Sequence, residues 1–118
     1  MRDVIVIGAG VAGLATAAAL GRLGHSVLVL EKLPKPGHRV CGEYISNEAQ
    51  PFLKSLGLDL ASLGAAPLET LQWTTTGGSE FSAELLPGGV GLSRLRLDEG
   101  LATRAEALGA EIVRAAEV

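Results

Sequence analysis

Three glycines, Gly8, Gly10 and Gly13, fall in a GxGxxG spacing, GAGVAG over residues 8–13, between a β-branched run and an Ala-rich stretch. Where a strand turns into a helix, this spacing gives each glycine its own task. Gly8 permits the tight turn, Gly10 lets a pyrophosphate come close to the backbone, and Gly13 lets the helix pack near the strand. The N–H groups of the first helical turn, from Val11, Ala12 and Gly13, have no intrahelical partner and present partial positive charge to an anion. Glu31 ends the next apolar run, near the separation of about 20 residues at which an acidic side chain meets an adenosine ribose. An ordinary turn and a solvated carboxylate would explain either feature alone, but their combination in a strand, turn and helix context points to a dinucleotide.

Other polar residues refine that chemistry. Glu31 would accept bonds from ribose hydroxyls and repel a 2′-phosphate, whereas the nearby Lys32, Lys35 and Arg39 leave room for one. Arg39 and Arg94 each carry a permanently charged fork of donors suited to phosphate. Cys41 is the single cysteine, with no histidine in an evident relation to it, and is expected to be a small buried residue. His25 and His38 have no ligand partners at metal spacing, so no metal site is expected, and no general acid or base can be named.

The elements that must position these groups follow from hydrophobic periodicity. The run from Val4 to Ile7 suits a strand buried on both faces. Helical spacing predicts a helix over residues 11–23, and a second strand covers residues 26–31, completing a right-handed βαβ unit. A Pro- and Gly-containing loop follows, then a short helix that starts near Ser46 or Asn47 and ends at Gly57. Alternation at Leu71, Trp73, Thr75, Phe81, Ala83 and Leu85 around Gly77 and Gly78 predicts a β-hairpin over residues 68–85, with Trp73 and Phe81 packed into a core. Asp98 and Glu99 suit the start of another helix, with Leu97, Leu101, Ala105 and Leu108 on one face. Residues 111–118 read as a strand that runs to the last residue.

Composition excludes several classes. The 118 residues make one domain, and a formal charge of −3 leaves no polyanion-binding surface, so nucleic acid is not an expected partner. No apolar run approaches the roughly 18 residues of a membrane-spanning helix. One cysteine allows no intrachain disulfide, and together with an N-terminus that opens directly into a strand it suggests a cytoplasmic protein. The expected fold is α/β, a three-layer Rossmann-like βαβ domain with a parallel sheet and an inserted hairpin. The uncovered edge of its last strand makes a dimer plausible.

The GAGVAG motif, Glu31, the segment RVCGEYIS at residues 39–46, and Arg94, Leu97, Asp98 and Leu101 followed by Gly109 and Ala110 occur in order along nearly the whole chain. This pattern resembles the N-terminal third of the FAD-dependent oxidoreductases of the geranylgeranyl reductase and aromatic hydroxylase type, a superfamily that also holds flavin halogenases. The resemblance implies FAD as cofactor: the glycines at its pyrophosphate, Glu31 at its ribose, Arg39 and Arg94 near phosphates and ribose, and Cys41 and Gly42 near the flavin ring. It also implies that the hairpin belongs to a substrate-side sheet, and that the chain is an incomplete, by itself inactive, portion of a longer enzyme. That enzyme would reduce a prenyl-type double bond or oxygenate an organic small molecule, with NAD(P)H as reductant. An NAD(P)-binding domain of a nicotinamide-dependent enzyme and a non-catalytic dinucleotide-binding module remain open as alternatives.

Overall fold

A computed structural model describes every residue except Gly42. Strand β1 (Val4–Ile7), helix α1 (Val11–Arg22) and strand β2 (Val27–Glu31) form the expected βαβ unit. Strand β3 (Tyr44–Ile45), helix α2 (Ala49–Ser55), strands β4 (Ala66–Thr74) and β5 (Glu80–Gly91), helix α3 (Arg94–Ala107) and strand β6 (Glu111–Arg114) follow. The sheet β1-β2-β6 is parallel throughout, in register from Val4 opposite Val27 and from Leu28 opposite Glu111. Asp3 fastens its lower end, accepting bonds from the Ser26 N–H at 2.8 Å and the Ser26 hydroxyl at 2.9 Å.

Alternation along β2 sets the layers, because side chains two apart share a face. Val27 and Val29 point to one side and are fully buried; there they meet Leu14, Ala17 and Ala18 of α1, and α3 adds Leu101 and Ala105. Alanine on the inner face of α1 removes side-chain bulk, which lets α1 and α3 pack side by side on this face. The opposite face is uncovered: Ile5 is 59% and Ile7 69% exposed. Within this chain the expectation of a strand buried on both faces is therefore met on one face only, since α1 and α3 lie on the same side of the sheet.

A second sheet, β3-β5-β4, is antiparallel and extends from the first unit. The radius of gyration of 16.9 Å exceeds the value of about 13.5 Å expected for a compact chain of this length, and the longest dimension reaches 59 Å, because this ribbon projects. The hairpin is longer than residues 68–85 and recruits the two-residue β3, whose shortness gave no periodic signal. Trp73 and Phe81 do face each other across the strands, yet both are 64% exposed and pack into no core among the described residues.

Two element ends also differ from the sequence reading. Ser93 caps α3, its hydroxyl accepting the Arg96 N–H at 3.3 Å, so Asp98 lies a turn inside the helix rather than at its start. Strand β6 stops at Arg114, because Ala115 adopts a left-handed φ of 55° and turns the chain back. The Ala116 N–H then donates to the Glu31 carbonyl at 3.0 Å. Among the described residues no helix is long and apolar enough to cross a membrane.

At the β1 to α1 junction, Gly8 has a φ of 97°, a conformation that side chains disfavour. Gly13 is needed for a different reason: a Cβ there would lie 1.9 Å from the Gly8 carbonyl oxygen, so any side chain pushes the helix off the strand. Gly13→Ala is expected to destabilise the fold by about 3 kcal/mol, at the upper end of overpacking costs because backbone is the obstacle. Chemical denaturation measures it, and a variant within about 0.5 kcal/mol of the parent would refute the close-packing role.

Candidate dinucleotide site at the strand C-termini

The C-terminal ends of β1 and β2, the region after β6, and the loop that follows β2 enclose a cleft of about 500 Å³. Gly8, Gly10, Glu31, Lys32 and Arg39 line it, which brings together five of the residues singled out in the sequence. Ligand crevices of open parallel sheets lie at this edge, outside the carboxyl ends of the strands.

Gly10 caps α1 in extended conformation and supplies no side-chain cap. A Cβ on Gly10 would meet nothing within 4 Å, so neither backbone strain nor internal packing accounts for glycine here. The open space above it is what a group approaching the backbone would use. The first helical bond runs from the Leu14 N–H to the Gly10 carbonyl at 2.9 Å, so the amides of Val11, Ala12 and Gly13 precede it. No acidic residue stands in the first turn, so an anion meets amide dipoles without an opposing carboxylate from α1.

Glu31 continues the inward face of Val27 and Val29 and is therefore drawn beneath the glycine loop, where it is only 6% exposed. One carboxylate oxygen accepts the Ala9 N–H at 2.7 Å and the other the Leu33 N–H at 2.9 Å. The Leu33 bond, then the Ala9 bond and the positive charges of Arg39 and Arg114, hold this carboxyl below its ordinary pKa against the opposing effect of burial. Each oxygen retains a further lone pair for a hydroxyl donor.

Arg94 and Cys41 do not line this cleft. They form a second cluster at the start of α3, where Arg94 pairs with the buried Asp98 through bonds of 3.3 and 3.4 Å. Cys41 is exposed, which corrects the expectation of a buried residue. Its thiol is held below the ordinary value by the Glu43 N–H and then by Arg94. Gly42 lies outside the described residues.

Two contributions were not anticipated. Ala116, Glu117 and Val118 form a wall of the cleft, because the turn at Ala115 folds them over the end of β2. Asp98 is the partner that holds Arg94. The Arg94 to Asp98 separation of one helical turn carried that signal, and it becomes readable once Ser93 is recognised as the cap.

The lowered Glu31 pKa has a definite sign in stability. A depressed folded-state value contributes stability that is complete above the unfolded carboxyl value of about 4.3 and is lost as pH falls through the folded value. Glu31→Gln is expected to unfold more easily than the parent at neutral pH by about 1 to 3 kcal/mol, with the gap narrowing in acid. Paired denaturation curves check this, and a gap that stays constant with pH would contradict it.

The family model of NAD(P)-binding Rossmann-like domains matches residues 6–50. The chain is 40% identical over 75 residues to an FAD-dependent monooxygenase, ntnJ, of Nectria sp, covering 61% of this chain and 18% of that protein. It is 34% identical over 120 residues to a probable electron transfer flavoprotein-quinone oxidoreductase, YgcN, of Escherichia coli, covering 98% of this chain and 28% of that one. The solved tetrameric form of 2-methyl-3-hydroxypyridine-5-carboxylic acid oxygenase superposes with a TM-score of 0.85 at 28% identity, covering 99% of this chain and 32% of its own. The chain thus spans less than a third of each of these proteins, and these likenesses do not single out the geranylgeranyl reductases. With a parallel βαβ sheet, a glycine loop at the β1 to α1 junction and relatives of this kind, the chain is similar in sequence and fold to the N-terminal portion of FAD-dependent monooxygenases and oxidoreductases.

Proposed function

We propose that this chain binds FAD through its adenosine diphosphate half and does so on behalf of a flavin-dependent oxidoreductase. The observation that carries the reading is Gly10, a glycine with no internal reason to be one, at a cleft that also holds the fixed carboxylate of Glu31 beneath the same loop. The pyrophosphate would lie against the amides of Val11, Ala12 and Gly13, and the ribose hydroxyls would donate to the free lone pairs of Glu31. Lys32 and Arg39, at the same cleft, would offset phosphate charge, and residues 116–118 would wall the adenine end.

When bound, the flavin supplies the redox chemistry, and this chain supplies orientation and electrostatics. Arg94, held by Asp98 and adjacent to Cys41, would sit on the flavin side of the same ligand. The fixed, ionised Glu31 would also repel a 2′-phosphate, which favours FAD or NAD over NADP in this cleft. For the whole protein, the names of the relatives support oxygenation of an organic molecule or electron transfer to a quinone; NAD(P)H as its reductant follows only from the family resemblance. The projecting hairpin would join the substrate side.

A visible absorption spectrum, followed by separate titrations with FAD and NADH, tests the reading. Saturable FAD binding tighter than NADH is expected, and NADH binding alone would move the protein to the nicotinamide-dependent class. Gly10→Val should keep the parent's circular dichroism and lose FAD affinity by about 100-fold or more, the scale of two charge-assisted hydrogen bonds. Undiminished affinity in that variant would remove the glycine loop from the site.

A further inference from the structure

Glu31 is one of two charged side chains buried among the described residues. Its two carboxylate oxygens are taken by backbone donors on different loops, Ala9 in the glycine loop and Leu33 in the loop after β2. The adjacent Gly8 N–H is satisfied separately, by the Leu30 carbonyl at 2.7 Å, as part of the sheet edge. Ala9 is itself 5% exposed, so its N–H has no solvent to turn to if the carboxylate is lost. The two loops that form the cleft are thus joined through one side chain.

We propose that Glu31 is a positioning residue for the glycine loop: a carboxylate strut that holds the phosphate-binding backbone in its working shape before a dinucleotide arrives, independently of any bond to ribose. The proposal rests on the dinucleotide reading above for its binding consequences, but the strut itself is a property of the free chain. A glutamine at this position has one acceptor oxygen and an NH₂ group, so it can serve only one of the two backbone donors and must turn a donor toward the other. The loop then gives up part of its fixed geometry, and pre-organisation lost in the free state appears as weaker binding of every ligand that uses the loop.

Amide hydrogen exchange of the ligand-free chain provides the first readout. In Glu31→Gln, exchange at Ala9 or Leu33 should quicken by about tenfold or more, while Gly8 and the β1 and β2 ladder amides keep the parent's rates. Parent-like rates at both Ala9 and Leu33 would overturn the strut. If the glutamine variant loses protection throughout, Glu31→Asp replaces it. That variant keeps the charge but is one methylene too short to span both donors, and the same two outcomes apply.

The second readout separates loop positioning from ribose contact. Binding of ADP is compared with binding of 2′,3′-dideoxy-ADP, which lacks the hydroxyls that Glu31 would accept. A strut predicts that Glu31→Gln weakens dideoxy-ADP by about fivefold or more; a side chain acting only through ribose predicts that ADP alone is weakened. Unchanged dideoxy-ADP affinity would therefore overturn the positioning role. A parent chain that binds neither nucleotide would defeat the dinucleotide reading, and the exchange rates would still decide the strut.

Discussion

The close approach of α1 to β1 governs this structure. With Gly13 against the Gly8 carbonyl, the helix begins directly at the strand end, which brings its unpaired first-turn amides to the C-terminal edge of the sheet. The same approach lays Leu14, Ala17 and Ala18 on Val27 and Val29, so the contact that orients the amides also builds the core. Burial of this apolar layer, at about 25 cal/mol per Å² removed from water, is what holds α1 in place; its sequence provides neither an acidic first turn nor a side-chain cap.

Glu31 depends on that arrangement and reinforces it. A carboxylate on the buried face of a central strand would be costly without partners, and two backbone N–H groups provide them. The arrangement is economical in a physical sense, since the amide of Ala9 would otherwise be buried unsatisfied. The second buried carboxylate, Asp98, is handled differently, through an arginine one turn away that stays partly exposed. The difference follows from position, with Glu31 beneath a loop of backbone donors and Asp98 on a helix whose own amides are already paired.

The two faces of the parallel sheet illustrate a limit of periodicity. The apolar runs of β1 and β2 read as strands covered on both sides, and half of that expectation holds, under α1 and α3. Ile5 and Ile7 point away from both helices. A run of β-branched residues reports that a strand is suited to burial, but which elements cover it depends on where the helices pack. The hairpin shows the same limit, because its two strands were legible from alternation while the exposure of Trp73 and Phe81 was not.

The sequence by itself determined the βαβ unit, the glycine loop, the acidic end of β2 and the approximate ends of α1 and α2, because these rest on local periodicity, glycine placement and spacing within about thirty residues. Only the tertiary structure decided that Glu31 braces two loops, that residues 116–118 return over the cleft, that Arg94 and Cys41 form a cluster apart from it, and that β3 joins the hairpin. Each of these depends on contacts between segments distant in the chain or on a single backbone angle, such as the left-handed φ of Ala115. Neither leaves a periodic trace in the order of residue types.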